Sequence, residues 1–244
     1  MLALESANDP ALDHPFPFDV LGAQTQGMIG YWLVQALGNA LQRRVVAVLT
    51  QTIVDRRDPA FSAPTKFVGR GYSLDEARRV GGDAWVLRQD GEMWRRVVAS
   101  PEPVEVVEID TIRELVSQGT IVVCAGGGGI PVARDDHDHL VGVEAVIDKD
   151  LAAALIARDV GADALLLLTD VPAVFRDYGR ATQRPLGTVS VDELRAMSFP
   201  EGSMAPKVDA VCRFVKATGK RGAIGTFDDA LELLKGTAGT TVVL

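Results

Sequence analysis

Two lysines occupy positions where a helix does not normally place a positive charge. Lys149 lies between Asp148 and Asp150 at the start of one predicted helix, and Lys207 lies in the first turn of another. The amino end of a helix carries partial positive charge, so a lysine there is unfavourable unless it faces an anion. An ordinary capped helix explains Asp148 but not Lys149. The pattern therefore indicates a phosphate ligand, with a neighbouring carboxylate that holds the lysine.

Four consecutive glycines, Gly126, Gly127, Gly128 and Gly129, follow the apolar run TIVVCA. A glycine-rich turn after a strand exposes backbone N–H groups and admits an anion where no Cβ intervenes. A tight turn alone needs only one or two glycines, so four in a row favour a binding loop. The loop lacks the Lys and Ser/Thr of a Walker A motif, and Pro131 blocks the helix start that a dinucleotide fingerprint requires.

The run LLLLTDVPAVFRDYG has the features of a nucleotide groove. A buried strand ends at Thr169 and Asp170, and the chain continues through a Val-Pro turn to Tyr178, whose ring could line a base. Ligands of parallel sheets bind beyond the carboxyl ends of the strands. A further flexible loop before Lys207 consists of Gly202, Ser203 and Met204.

Apolar periodicity predicts the elements that position these residues. Helices are expected at 22–41, 110–119, 148–162, 206–219 and 226–236, and a capping box, SVDE, opens a short helix at 190–193. Strands are expected at 44–50, 120–125, 163–169, 221–225 and 240–243. Such alternation predicts an α/β fold with parallel pairing and helices on both faces of the sheet. The segment 54–100 is rich in Pro, Arg and aromatic residues, and we interpret it as a small β-rich insertion or lid.

Composition excludes several classes of function. The net charge of −8 argues against nucleic acid or an anionic membrane as the main partner. No apolar run reaches the roughly 18 residues of a membrane span, and the first residues do not form a signal peptide, so a cytoplasmic location is expected. Cys124 and Cys212 are expected to be buried free thiols. His137 and His139 lie in a charged turn without a clear third ligand, so no metal site is predicted in the chain.

These stretches together resemble the amino-acid kinase family, and within it the carbamate kinase branch. The match is carried by DVLGAQTQGMIGYWLVQALGNAL, APTK, CAGGGGIPV, GVEAVIDKDLAAAL, LLLTDVPAV and GSMAPKVDA, which span nearly all of the chain. The resemblance implies a three-layer α/β/α sandwich with an open, mainly parallel sheet, as a single domain over 1–244 with the inserted lid at 54–100. It implies a homodimer that transfers a phosphoryl group between ATP and carbamate, giving ADP and carbamoyl phosphate, with Mg²⁺.

The resemblance also implies roles for individual residues. Lys149 and Lys207 would neutralise charge on the moving phosphoryl group, Asp150 would orient these lysines, and Lys66 in APTK would reach over the substrate. The amides of Gly126 to Gly129 would face carbamate and the γ-phosphate. The nucleotide would be bound by Thr169, Asp170, Val174, Tyr178, Gly202, Ser203, Met204 and Lys207.

The sequence departs from the family pattern in two places. Family members begin with strands that end in Gly-Gly-Asn-Ala and Gly-Asn-Gly-Pro turns, whereas this sequence has no glycine before Gly22. We therefore expect the family's N-terminal segment to be missing and the helix at 22–41 to expose part of its apolar face. Lys66 is followed by FVGRGYS, where the family continues with proline.

Three hypotheses about function remain open at this point. The first is a functional carbamate kinase whose start is mis-assigned or truncated. The second is a catalytically impaired remnant that keeps nucleotide binding or dimerisation. The third is another kinase of the same fold, acting on acetylglutamate, aspartate or a nucleoside monophosphate.

Overall fold

A computed structural model describes residues 16–199 and 204–244 of the chain. Two units follow one another along the sequence, Met1–Lys149 and Asp150–Leu244. Both alternate helices with strands, as the apolar periodicity predicts. No helix within the described residues is both long enough and apolar enough to cross a membrane.

The first unit contains three α-helices and nine strands among its described residues. The helices are α1 (Phe18–Leu41), α2 (Leu74–Gly81) and α3 (Ile109–Ser117). The strands are β1 (Val45–Ala47), β2 (Gln51–Ile53), β3 (Lys66–Tyr72), β4 (Val86–Asp90), β5 (Met93–Val98), β6 (Glu105–Val106), β7 (Ile121–Val123), β8 (Ile130–Arg134) and β9 (Leu140–Gly142).

The two strand pairs whose members flank the glycine loop are parallel, as predicted. Strand β1 pairs with β7, and β2 pairs with β8, each in parallel register. Strands β6 and β9 extend the β2–β8 pair at its two edges with antiparallel pairing. Within the segment 54–100, β3, β5 and β4 form an antiparallel sheet in that order, with α2 inserted between β3 and β4. The role of this sheet as a lid stays a prediction.

The second unit contains a four-stranded sheet covered by helices. The helices are α4 (Lys149–Asp159), which begins at the last residue of the first unit, α5 (Val191–Arg195), α6 (Met204–Thr218) and α7 (Ala230–Lys235). The strands are β10 (Leu165–Thr169), β11 (Phe175–Arg176), β12 (Arg184–Pro185), β13 (Thr188–Ser190), β14 (Gly222–Thr226) and β15 (Thr240–Val243). The sheet order is β10-β14-β15-β13, in which β10–β14 and β13–β15 are parallel and β14–β15 is antiparallel.

The starts of two helices in the second unit agree with the sequence, whereas the burial of one strand differs from expectation. The Ser190 and Glu193 side chains form the predicted capping box at the start of α5. Pro206 lies in the first turn of α6, where the missing N–H costs no hydrogen bond. Strand β10, which was expected to be buried, is buried more on one face than on the other: Leu165 and Leu167 are buried, whereas the leucines that alternate with them are only half-buried. The sheet therefore packs one face of β10 more closely than the other.

Helix α1 forms as predicted, but its apolar stripe is not in a core. The helix buries Leu21, Gln26 and Gly30 instead. Trp32 is 55% exposed, and Ile29, Leu33 and Leu41 are also exposed, which confirms the expected exposure of part of this face. Gly30 allows the close approach to β1, since a Cβ there would lie 2.9 Å from the Cβ of Ala47.

The Thr120→Val variant should be more stable than the parent chain. The Thr120 hydroxyl is buried and has no hydrogen-bond partner among the described residues. A methyl group of the same size removes that unsatisfied group, so the free energy of unfolding in urea should rise by roughly 1 kcal/mol. Thr240→Val is the matched control, because the Thr240 hydroxyl donates to Leu186 O and accepts from Val174 N, and this variant should lose stability. An equal loss of unfolding free energy in both variants would contradict the conclusion that the Thr120 hydroxyl is unsatisfied.

Candidate functional site

The residue that begins the glycine loop has backbone dihedral angles in the left-handed region. Ala125 has φ 51°, and Gly127, Gly128 and Gly129 have φ of 69°, 100° and 96°. Residues with a Cβ rarely adopt such angles. The loop therefore needs glycine for its backbone path at three successive positions, which accounts for most of the run.

Two of the glycines also lie against other backbone and side-chain atoms. A Cβ at Gly128 would collide with the carbonyl of Ile147, and a Cβ at Gly129 would collide with the Thr52 side chain. A Cβ at Gly127 would meet nothing within 4 Å. The backbone of Gly128 therefore packs directly against Ile147, whereas the space next to Gly127 is open.

The hydrogen bonds of the loop leave two amides unused. The Gly128 N–H donates to Ala125 O at 3.0 Å, and the Gly129 N–H lies 3.4 Å from Gly126 O. The Ala125 N–H is also engaged, by a side chain, at 3.0 Å. Among the described residues no acceptor faces the N–H of Gly126 or Gly127. The prediction that all four glycines present amides thus narrows to two, and two adjacent free N–H groups can bind an anion.

Three buried polar residues that the sequence analysis missed hold this loop. Gln26 is 7% exposed, and its amide exchanges two hydrogen bonds with the backbone of Thr50. The hydroxyl of Thr50 accepts from Ala125 N, and the hydroxyl of Thr52 donates to Gly128 O at 3.0 Å. The sequence does contain a signal, the polar run TQT at residues 50–52, where β2 begins. An analysis of apolar periodicity does not detect it, because it considers only apolar residues.

Each carboxylate that flanks Lys149 forms an ion pair with a different lysine. In the first unit, Asp148 Oδ2 lies 2.8 Å from Lys66 Nζ, at the start of β3. In the second unit, Asp150 Oδ2 lies 2.8 Å from Lys207 Nζ. Both side chains of the Asp150–Lys207 pair are only 10% exposed, so this pair is held in a low-dielectric environment. The prediction that Asp150 orients a lysine matches the geometry for Lys207.

Lys149 differs from the other two lysines. It is the first residue of α4 and is exposed. Within the described part of the chain, its ammonium group has no ion pair or hydrogen bond. A cation at the positive end of a helix, with the flanking carboxylates engaged elsewhere, is electrostatically unsatisfied and attracts an anion.

A cavity of about 190 Å³ lies at the carboxyl end of β10 in the second unit. Its walls are Thr169, Asp170, Val171, Phe175, Tyr178, Phe199 and Met204. Thr169, Asp170, Tyr178 and Met204 were predicted from the sequence, whereas the two phenylalanines were not. Aromatic walls with a few polar atoms at one end are typical of a site for a flat ring that carries polar substituents.

Not every predicted nucleotide residue lies at this cavity. Val174 is fully buried in the hydrophobic core, so its side chain is not available to a ligand. It follows a turn whose backbone is fixed to β15, where Val174 N donates to the Thr240 hydroxyl at 2.9 Å. Gly202 and Ser203 lie outside the described residues.

The cysteines and histidines of the described residues form none of the ion pairs and hydrogen bonds described above. Both thiols are free, with Cys212 buried and Cys124 half-buried. Burial raises the pKa of the Cys124 thiol, so this group is a poor nucleophile at neutral pH. The His139 side chain is 76% exposed in the charged turn, as predicted. Within residues 16–199 and 204–244, no three His, Cys, Asp or Glu side chains are grouped to hold a metal ion.

Comparison with known proteins gives the class of this chain. The model of the Amino acid kinase family matches residues 22–225. The chain therefore belongs to the amino acid kinase family, and the α/β fold agrees with that membership. Within the family it groups with the carbamate kinases. The carbamate kinase of Haemophilus influenzae is 46% identical over 246 residues, which cover 99% of this chain and 79% of the relative.

Solved structures give the same grouping. The carbamate kinase of Giardia lamblia bound to citric acid superposes with a TM-score of 0.90 at 38% identity, covering 99% of this chain and 80% of that one. The same enzyme bound to AMP-PNP superposes with a TM-score of 0.87 at 38% identity, covering 99% of this chain and 79% of that one.

The Asp150→Ala variant should be strongly destabilised. It leaves the Lys207 ammonium buried without its carboxylate, and breaking a buried pair from one side costs about 3–5 kcal/mol. The double variant Asp150→Leu/Lys207→Met removes both charges and should recover most of that loss. Glu232→Ala, which breaks an exposed contact with Lys235, should change the free energy of unfolding very little. The free energy of unfolding is measured in urea. If Asp150→Ala lowers it as little as Glu232→Ala does, the Asp150–Lys207 pair is not needed for stability.

Proposed function

We propose that this chain is a carbamate kinase, which transfers a phosphoryl group reversibly between ATP and carbamate and gives ADP and carbamoyl phosphate. The observation that carries the proposal is Lys149, an exposed cation at a helix start whose flanking carboxylates each hold another lysine. The relatives of similar sequence and structure, which are carbamate kinases, support the choice of acceptor.

The chemistry of this reaction suits the residues that are present. A carbamate oxygen is already anionic, so its attack on a phosphoryl group needs no general base. Catalysis then rests on positioning and on neutralising the charge that develops on the transferred group. Lysines and backbone amides supply both, and the candidate site uses no histidine or thiol.

Different protein groups are proposed to bind the different anionic parts of the reactants. The free amides of Gly126 and Gly127 bind the anion of carbamate or carbamoyl phosphate. Lys149 and Lys207 neutralise the transferred phosphoryl group, and Lys207 is held for that task by Asp150. Lys66, which Asp148 holds at 2.8 Å, is proposed to contact the substrate from the inserted sheet.

The cavity at the end of β10 is proposed to bind the nucleotide. The rings of Phe175 and Tyr178, 6.0 Å apart, offer apolar surface for the base. Thr169 and Asp170 supply polar atoms at the strand end. The AMP-PNP complex of the Giardia lamblia enzyme supports nucleotide binding by this fold.

Mg²⁺ is proposed to enter with the nucleotide. Mg²⁺ is commonly held by one or two carboxylates together with phosphate oxygens, so a preformed cage of three protein ligands is not required. Asp170 is exposed and lines the cavity, and its donor chemistry fits this role. When bound, the ion supplies positive charge to the phosphates.

Homodimer formation and a cytoplasmic location are also part of the proposal. The resemblance to the family supports the dimer, and the exposed Tyr31 and Trp32 on α1 provide apolar surface of the kind that interfaces cover. Two free cysteines are the composition of a protein from a reducing compartment. The negative net charge gives no reason to propose nucleic acid or a membrane as a partner.

The Lys149→Ala variant should lose turnover far more than nucleotide affinity. Charge develops on the phosphoryl group in the transition state, where a preorganised cation is worth roughly 10²–10³ in rate. Lys216→Ala removes an exposed lysine from the last turn of α6 and is the control. ATP formation from ADP and carbamoyl phosphate measures turnover, and calorimetry measures Mg-ADP affinity. A Lys149→Ala enzyme with unchanged turnover would contradict the proposal.

The Gly127→Ala variant should weaken carbamoyl phosphate binding beyond its effect on stability. Gly127 and Gly161 have φ of 69° and 72°, and a Cβ at either meets nothing within 4 Å. Alanine should therefore cost a similar strain of roughly 1–2 kcal/mol at each position. Only Gly127→Ala should raise the KM for carbamoyl phosphate, because the strain there displaces a free amide. Equal KM values for the two variants would argue against the loop as the anion site.

A further inference from the structure

A buried hydrogen-bonded cluster behind the glycine loop is not explained by packing. We propose that Gln26 and Thr50 are positioning residues that fix the free amides of Gly126 and Gly127 in the geometry that binds an anion. This inference rests on the proposed function, since it concerns the anion site of that same reaction.

The first link runs from helix α1 to the strand region. Gln26 Oε1 accepts from Thr50 N at 2.9 Å, and Gln26 Nε2 donates to Thr50 O at 3.1 Å. A primary amide that pairs with both backbone groups of one residue fixes that residue in position and in orientation. The backbone of Thr50 is therefore held by a side chain in addition to its strand neighbours.

The second link runs from Thr50 to the start of the loop. The Thr50 hydroxyl donates to Val48 O at 2.8 Å, which directs its remaining lone pairs towards Ala125 N, at 3.0 Å. Ala125 has φ 51°, a conformation that a residue with a Cβ adopts only when its surroundings enforce it. The Thr50 hydroxyl supplies a contact that enforces it. Its loss would release Ala125 towards an ordinary backbone conformation.

The far end of the loop is fixed independently. Thr52 donates its hydroxyl proton to Gly128 O at 3.0 Å. Thr50 and Thr52 thus hold the two ends of a short segment, and the unused amides of Gly126 and Gly127 lie between them. Donors that are fixed before the anion arrives lose little freedom on binding, which is the condition for strong electrostatic stabilisation.

The residue types themselves argue for positioning. Thr50 and Thr52 are both fully buried, and Gln26 is 7% exposed. Valine at the threonine positions and leucine or methionine at Gln26 would fill similar space without the cost of burying polar atoms. A polar cluster at these positions is therefore accounted for by the loop conformation that it specifies, and not by core packing.

The test uses inorganic phosphate as the anion probe and does not depend on turnover. Phosphate is titrated into the ¹⁵N-labelled chain, and the amide resonances of Gly126 and Gly127 are followed by NMR. The variants are Thr50→Val, which loses the hydroxyl, Thr50→Ser, which keeps it, and Gln26→Met as a second route to the same effect. Thr120→Val is the matched control, because its buried hydroxyl holds nothing among the described residues. Mg-ADP affinity is measured for each variant by calorimetry.

We expect phosphate to shift both resonances in the parent chain. Thr50→Val and Gln26→Met should each weaken phosphate binding by roughly 10- to 100-fold, as misplaced binding groups do. Thr50→Ser and Thr120→Val should bind phosphate like the parent, and all folded variants should keep the parent affinity for Mg-ADP. This contrast separates positioning from a general loss of structure, which would weaken both ligands together.

Two results would overturn the inference. One is parent-like phosphate affinity in Thr50→Val or Gln26→Met. The other is a parent chain in which phosphate shifts neither glycine resonance. A parent chain that binds phosphate at these amides but forms no ATP from carbamoyl phosphate and ADP would refute the proposed function and support the positioning role.

Discussion

The alternation of charge at Asp148, Lys149 and Asp150 is the constraint on which the rest of the site depends. A buried carboxylate is tolerated only when a cation or several donors satisfy it, and the structure satisfies each of these two with a lysine from elsewhere. The consequence is that Lys66 in the first unit and Lys207 in the second are each held at 2.8 Å by an anionic partner, while the exposed Lys149 forms no ion pair among the described residues. A fixed set of cations is what phosphoryl transfer to an already anionic acceptor requires.

In both units, hydroxyl groups of buried threonines form hydrogen bonds that hold the backbone of a neighbouring loop or turn. In the first unit, Thr50 and Thr52 fix the ends of the glycine loop through hydroxyl–backbone hydrogen bonds. In the second, the fully buried Thr240 accepts from Val174 N and donates to Leu186 O, and so fixes the turn that carries Phe175 and Tyr178. In each unit a buried threonine hydroxyl holds the backbone next to residues that are proposed to bind a ligand. The sheet therefore determines where the neighbouring loops present their polar atoms.

The sequence predicted the elements well because their signals are local. Apolar periodicity located α1, α4 and β10, and the misplaced lysines pointed to the charged site. The expected exposure of part of the apolar face of α1 came from comparison with the family pattern, because periodicity alone does not tell whether an apolar face is covered. The same limit explains Val174, which shares a run with Tyr178 but lies inside the core. The roles of Gln26 and Thr50 depend on hydrogen bonds across 24 and 75 residues, which no short motif encodes.

The most direct measurement of the central claim is a ³¹P NMR experiment that identifies the product and the acceptor. The chain is incubated with Mg-ADP and carbamoyl phosphate, and in parallel Mg-ATP is offered with carbamate, acetylglutamate, aspartate or a nucleoside monophosphate. The account predicts the γ-phosphate resonance of ATP growing at the expense of carbamoyl phosphate, and no transfer to the other three acceptors. Transfer to one of those acceptors, or conversion of carbamoyl phosphate to inorganic phosphate without ATP, would contradict it.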